Sequence, residues 1–308
     1  RLRGLIFLCI FVYKFSLILL IFIFLILSFT FPNLFTELKS SIPYLLGLVM
    51  FGMGASLQLQ EIKNILTEPK WLLTTIILQF SIMPFLAFFL VVIFDFPKEI
   101  ALGFIILGSC PGGTASNVIA YICKANLSLS ILCTFVSTGL AVFFTPALIF
   151  LFADENIDIE ILGLIKSTFF IVFLPVVCGI LMKIFIRNKE KTFLKFFPLF
   201  SEISIALIIG IIFSINIDSF SNLSWNILVA VALHNLIGLF LGFLIASFFK
   251  FPMDVKKTVA IEVAMQNSGL GMTLALMHFT KLVALPSALF SLWHNISASG
   301  LVYFWKKK

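Results

Sequence analysis

Gly108-Ser-Cys-Pro-Gly-Gly-Thr-Ala-Ser-Asn117 interrupts an apolar run that is otherwise long enough to cross a bilayer. Pro111 removes a backbone donor there, and Gly112 and Gly113 permit an unwound stretch. A second interruption, Glu262-Val-Ala-Met-Gln-Asn-Ser-Gly-Leu-Gly271, crowds Gln266, Asn267 and Ser268 just before Gly269 and carries a carboxylate into an apolar setting. Irregular backbone at membrane depth is tolerated only where it is buried in protein or lines a wet cavity, so the two breaks are expected to face each other inside a helical bundle. Freed carbonyls and the oxygens of Ser, Thr, Asn and Gln suit a hard cation, while exposed N–H groups at the half-helix starts suit an anion. The competing reading is a glycine-mediated packing crossing, which two such breaks with oxygen donors disfavour.

The composition around them belongs to a membrane protein. Of 308 residues, 61% are apolar and 11% are Asp, Glu, Lys or Arg, against roughly 45–50% and about 25% in a soluble domain. A water-soluble globule is excluded, and so few charges cannot solvate a disordered chain. The 39 phenylalanines read as lipid-facing bulk rather than an aromatic ligand cage. Cys9, Cys110, Cys123, Cys133 and Cys178 all lie in apolar stretches without a CxxC pair, so neither a disulfide framework nor a thiolate metal site is indicated. Arg1 and Arg3 ahead of an apolar run resemble a secretory signal, but the run is too long and no small-residue cleavage site follows.

Working outward, apolar segments fall at about 15–31, 42–59, 71–94, 99–123, 127–152, 161–182, 197–217, 225–249, 257–279 and 282–304. The expectation is an all-α integral membrane protein of ten transmembrane helices, with residues 1–13 as a basic amphipathic foot on the membrane surface. Of the 21 basic residues, all but Lys39, Lys98, Lys166 and Lys281 fall on the side shared by the termini, and most acids, Glu37, Asp95, Glu99, Asp154, Glu155, Asp158, Glu160 and Asp218, fall on the other. The positive-inside rule therefore puts both ends in the cytoplasm of a cell (inner) membrane, and it explains the net charge of +7 without a nucleic-acid partner. The longest loop, Lys183–Lys195, lies at mid-chain. Two halves of five spans each must sit with opposite orientations, the inverted-repeat plan of many secondary transporters. The two breaks fall in the fourth span of each half, where that plan puts substrate and ion sites on discontinuous helices.

Glu262 weighs most among the polar residues. A carboxylate near the bilayer centre costs on the order of 2.5–3.5 kcal/mol on insertion scales. It must be protonated, paired or bound to a cation, and no Lys or Arg lies in a span core. Gln79 in the third span, and Ser130 and Thr134 at i, i+4 spacing in the fifth, join it as candidate ion ligands. His234 with Asn235, and His294 with Asn295, read as interhelical hydrogen-bonding groups, the second pair with the option of facing a central cavity. Glu202 reads as an interfacial acid, and His278, near the outer interface, as unremarkable. No HExxH, GxSxG or paired Asp motif occurs, so an intramembrane enzyme is not expected.

Four strings, Pro43-Tyr-Leu-Leu-Gly-Leu-Val-Met-Phe-Gly-Met-Gly54, Cys110-Pro-Gly-Gly-Thr-Ala-Ser-Asn117, Glu262-Val-Ala-Met-Gln-Asn-Ser-Gly-Leu270 and Ala288-Leu-Phe-Ser-Leu-Trp-His-Asn-Ile-Ser297, carry a resemblance over nearly the whole chain. The chain resembles the bile acid:sodium symporter family, in particular its ten-helix bacterial members. The resemblance implies a single transporter domain over 1–308, with residues 1–182 holding the first repeat (spans 1–5) plus span 6. It implies a panel of spans 15–31, 42–59, 161–182 and 197–217 beside a core of 71–94, 99–123, 127–152, 225–249, 257–279 and 282–304, whose helices 4 and 9 cross at their breaks. Carried over by motif position, a first sodium site uses Ser116, Asn117, Ser130, Thr134 and Glu262. A second uses Gln79, Glu262, Gln266 and the backbone oxygens of Val263 and Met265. Gly113, Thr114, Asn267, His294 and Asn295 are the positions implied for the organic anion. The implied activity is import of an organic anion, pantoate-like or bile-acid-like, with two Na+ and no organic cofactor, by a monomer working through alternating access. Two sodium ions, the Glu262 carboxylate and one substrate carboxylate sum to zero charge. The alternative is a proton-coupled or efflux relative resembling the arsenite exporters, with Cys110 as a reactive thiol.

Overall fold

The computed structural model describes residues 19–57, 68–186, 197–218 and 224–306. The expected foot at 1–13, the start of the first span at Phe15, Lys63, most of the mid-chain basic loop and Lys307–Lys308 lie outside the described residues.

Among the described residues the chain is all-helical, without a strand. The helices are α1 Leu19–Thr30, α2 Pro32–Glu37, α3 Ile42–Ser56, α4 Pro69–Phe94, α5 Lys98–Gly108, α6 Ala115–Ile122, α7 Leu127–Phe152, α8 Ile161–Thr168, α9 Leu174–Ile186, α10 Phe197–Ile215, α11 Trp225–Phe248, α12 Met253–Ala264, α13 Ser268–His278 and α14 Leu285–Lys306. Local chemistry sets their ends. Proline occupies the first turn of α2, α3 and α4, where its missing N–H costs nothing. Asn126 caps α7 by accepting from Leu129 N at 3.1 Å, and Ser224 caps α11 by accepting from Asn226 N at 3.2 Å.

Among the described residues, five helical stretches are long and apolar enough to cross a membrane by length and composition: Pro32–Ser56, Pro69–Phe94, Leu127–Phe152, Ile161–Phe185 and Trp225–Phe248. The apolar helices Leu19–Thr30 and Leu199–Ile215 are shorter. Two expected spans are split: 99–123 into α5 and α6, and 257–279 into α12 and α13. The expected span at 161–182 carries a π turn at Phe169–Phe173 between α8 and α9, and the one at 282–304 opens with a 3-10 turn, Lys281–Ala284.

The distribution of side chains inverts that of a soluble protein. Phe85, Phe89, Phe143, Phe150, Phe170, Phe240 and Phe248 stand exposed, while Gln79, Ser116, Ser130, Thr134, His234, Glu262 and Gln266 are buried. Lipid makes the first arrangement stable, and the second requires partners inside the bundle.

The helices pack in two groups. In one, α3 packs on α9 and α10, and α10 on α2. In the other, α4 packs on α5 and α7, α11 on α12 and α4, and α13 on α14. Within the first group α3 and α9 touch backbone to backbone: a Cβ on Gly54 would fall on the Val176 carbonyl, and one on Gly179 on the Phe51 carbonyl. Glycine at both positions is what that approach demands. The groups meet where α8 packs on α7 and α13, where α13 packs on α3, and where α10 packs on α14.

Candidate functional site

The two interrupted segments cross inside the second group. Gly112 pairs antiparallel with Gln266, Gly113 N donates to Met265 O at 2.6 Å, and Asn267 N donates to Pro111 O at 2.8 Å. Two unwound stretches thereby satisfy each other's backbone groups inside the bundle. Space is as tight as the hydrogen bonding. A Cβ on Gly112 would lie 3.1 Å from Glu262 Oε2, and one on Gly113 2.7 Å from Gln266 O.

Glu262, at the end of α12, is 2% exposed. Ser116 Oγ donates to its Oε1 at 2.5 Å, Ser130 Oγ donates to the same oxygen, and Thr134 Oγ1 donates to Oε2 at 2.9 Å. Asn117 Oδ1 stands 2.9 Å from Ser130 Oγ and 3.4 Å from Thr134 Oγ1. The Ser116 and Thr134 hydroxyls are themselves 3.4 Å apart. Each hydroxyl has a single proton to give, so oxygens approach one another at more points than there are protons to fill. Among the described residues the ion pair is Lys98–Asp154, which is exposed, and no basic side chain pairs with Glu262. An oxygen-rich, proton-poor cage around an unpaired carboxylate fits a hard cation. All five residues expected at the first sodium position meet here: the i, i+4 pair on α7 faces the first turn of α6 and the end of α12.

The second expected set also converges, in a different hydrogen-bonded state. Gln79 Nε2 donates to Gln266 Oε1 at 2.8 Å and to Cys110 O at 2.9 Å. Gln266 Nε2 donates to Val263 O at 3.3 Å, and Met265 O is taken by Gly113 N. Gln79 Oε1 is buried without a partner among the described residues. Turning that amide over would aim Oε1 at Cys110 O and Gln266 Oε1, a set of acceptors that only a cation holds together. The Glu262 carboxylate points into the first cluster rather than this one.

Gly113, Thr114, Asn267, His294 and Asn295, expected at the substrate position, line one cleft together with Ser291. Its opposite wall is Leu46, Val49 and Met50 of α3 and Ile205 of α10, so the cleft lies between the two helix groups. Asn267 Oδ1 caps α13 by accepting from Leu270 N at 3.1 Å. Its Nδ2 reaches only Met50 Sδ, at 3.9 Å, a weak acceptor that leaves an N–H free for a better one. Asn295 Nδ2 donates to Ser291 O at 2.7 Å and stands 3.2 Å from His294 Nε2. That assigns the His294 hydrogen to Nδ1, which is buried and unpartnered.

The remaining polar residues fall as follows. His234 Nε2 lies 3.1 Å from Met83 O, and Asn235 Nδ2 donates to Ala264 O at 2.9 Å, both between helices as expected. Glu202 does not line the cleft. His278 makes a 2.8 Å hydrogen bond to Ser167, which its place in the sequence does not announce. Ser137 goes unmarked by residue reading as well, yet its Oγ lies 3.6 Å from the Cβ position of Gly112. The only signal for it is its place on the Ser130–Thr134 face of α7.

Comparison with known proteins bears on this arrangement. The profile of the sodium bile acid symporter family matches residues 43–223. The chain is 43% identical over 283 residues to the uncharacterized sodium-dependent transporter YocS of Bacillus subtilis, covering 92% of this chain and 88% of that one. It is 35% identical over 263 residues to the probable chloroplastic sodium/metabolite cotransporter BASS1 of Arabidopsis thaliana, covering 85% and 66%. It is 30% identical over 255 residues to the human ileal sodium/bile acid cotransporter, covering 81% and 73%.

Proposed function

The chain belongs to the sodium bile acid symporter family, a multi-pass membrane transporter and not an enzyme, and from that premise we propose that it imports a small or amphipathic organic anion with two sodium ions by alternating access. The observation that carries the reading is the buried Glu262 carboxylate, ringed by Ser116, Asn117, Ser130 and Thr134 at the helix crossing, with no basic partner among the described residues.

In this reading the protein is a monomer of ten spans in two inverted repeats, with both termini cytoplasmic. The helix group of α1–α3 and α8–α10 is the panel, and α4–α7 with α11–α14 form the core. The first sodium ion takes the Glu262 cluster. The second takes the Gln79–Gln266 site, where the orphaned Gln79 Oε1 turns to join the Val263 and Met265 carbonyls. The organic carboxylate docks in the cleft between the groups, against the N-termini of α6 and α13 and the free Asn267 amide N–H, with His294 and Asn295 on its flank. Two Na+ neutralise Glu262 and the substrate carboxylate, which avoids an unpaired charge at the midplane. The fully loaded core is then neutral, whereas two Na+ without the anion leave it at +1, and that difference couples the anion to sodium. A pantoate-like acid is favoured over a bile acid as the substrate. The efflux alternative has little support, since Cys110 is fully buried and its thiol donates to Ile106 O at 3.2 Å.

The test is uptake of radiolabelled pantoate and of taurocholate into proteoliposomes under an inward sodium gradient. Sodium-dependent accumulation that quickens with a negative interior is expected, because one monovalent anion with two Na+ carries positive charge inward. Electroneutral or sodium-indifferent uptake contradicts the proposal.

A further inference from the structure

The two helix groups are tied together at the end remote from the crossing. Ser167, in the last turn of α8, hydrogen-bonds His278 Nε2, at the last residue of α13, at 2.8 Å. Asn216, just past α10 and fully buried, donates from Nδ2 to Lys281 O at 3.2 Å. α13 runs from Ser268 to His278 over 11 residues, so the His278 tie lies about 16 Å from the crossing at 1.5 Å of rise per residue.

Three further features single out the His278 contact. The Glu160 carboxylate crowds the same ring: around the Cβ position of Gly163, Glu160 Oε2 lies at 2.9 Å and His278 Cε1 at 3.3 Å. A glycine keeps that pocket open. Ser167 stands just before the π turn Phe169–Phe173, a local irregularity that marks functional positions and lets a helix shift register. Both bonded side chains leave their helices to reach across the boundary between groups that must slide for alternating access.

We propose that Ser167, His278 and Asn216 are positioning residues that latch the outer end of the panel to the core, and that substrate entry from outside requires this latch to break. The proposal rests on the alternating-access reading. Each bond contributes only to the state with the outer end shut. Removing it shifts the population toward the outward-open state without touching the ion cluster or the cleft.

The experiment uses the full chain in intact cells, with Thr273→Cys as a reporter in a Cys9→Ser, Cys178→Ser background. Thr273 is fully buried and lines the outer opening between α3 and α13. Its labelling by a membrane-impermeant maleimide is followed in NaCl and in choline chloride. Loss of one hydrogen bond should speed labelling roughly threefold to tenfold in Ser167→Ala and in His278→Ala. The double variant should label no faster than either single, since both break the same bond. His278→Gln, which keeps a donor in reach of Ser167, should stay near the parent rate. Asn216→Ala should add to either single change. Unchanged labelling in Ser167→Ala and His278→Ala, while the parent still responds to NaCl, overturns the latch alone. A parent indifferent to NaCl overturns sodium-driven alternating access and the latch with it. A purely structural role for His278 predicts that His278→Gln labels as fast as His278→Ala, which also overturns it.

Discussion

Exchanging Glu262 for Gln keeps the side chain's shape and removes its charge, and the structure makes two consequences of opposite sign. A cation within the oxygen cage lies near the Glu262 carboxylate, which already draws Ser116 Oγ to 2.5 Å and Thr134 Oγ1 to 2.9 Å. At 4 Å and an effective dielectric near 20, unit charges attract by about 4 kcal/mol. At about 1.4 kcal/mol per tenfold, sodium affinity should fall by nearly a thousandfold. Without sodium, the wild-type site holds a buried carboxylate that no basic group pairs with among the described residues. That penalty is on the order of 2.5–3.5 kcal/mol by the insertion scale for a central Asp. In choline chloride, therefore, Glu262→Gln should unfold at a higher temperature than wild type. In NaCl at about a thousand times the wild-type Kd the order should reverse, because binding there stabilises wild type by about 4.1 kcal/mol, more than that penalty. Thermal unfolding in detergent, at equal ionic strength in the two salts, reads both effects from four curves. A variant that keeps a sodium shift of wild-type size, or one that is less stable than wild type in both salts, excludes Glu262 as the charge that holds the ion.

Gln79→Ala removes the donor to Cys110 O and Gln266 Oε1; the sodium dependence of uptake should lose its cooperativity and become hyperbolic, read from initial rates at varied NaCl. Gly113→Ala places a methyl 2.7 Å from Gln266 O and 3.3 Å from Met265 O. Overpacking against backbone costs about 1–3 kcal/mol, so uptake should be lost and the unfolding temperature should drop by several degrees in a melt of the purified protein. Cys110→Ser should keep most uptake, because a hydroxyl can make the thiol's bond to Ile106 O; abolished uptake would revive the reactive-thiol reading. Gly54→Ala drives a methyl into the Val176 backbone and should lower thermal stability while leaving the sodium affinity of the surviving folded fraction unchanged, as measured by tryptophan fluorescence titration.

Much was legible along the chain, because the bilayer imposes its own accounting. Backbone groups in lipid must be satisfied within a helix, so Pro111, Gly112 and Gly113 in an apolar run announce a break, and Glu262 in another announces a partner yet to be found. Ser130 and Thr134 could be set on one face by their spacing alone. Motif likeness carried the assignment of Ser116, Asn117 and Gln266, since nothing in their local sequence says which way they point. Tertiary structure decided the rest. Only the crossing brings Gly112 opposite Gln266 and so closes an oxygen cage from three separate helices. Only packing shows that Leu46, Val49 and Met50, apolar and locally unmarked, form the far wall of the cleft. The contact between His278 and Ser167 joins residues far apart in the chain, and nothing in the sequence around either announces the pairing. Sequence determined which segments had to be helical and where a helix had to fail, because those are local costs of burying peptide groups. Which oxygens share an ion, and which helices must part to release one, depends on contacts between distant segments, and those exist only once the bundle has packed.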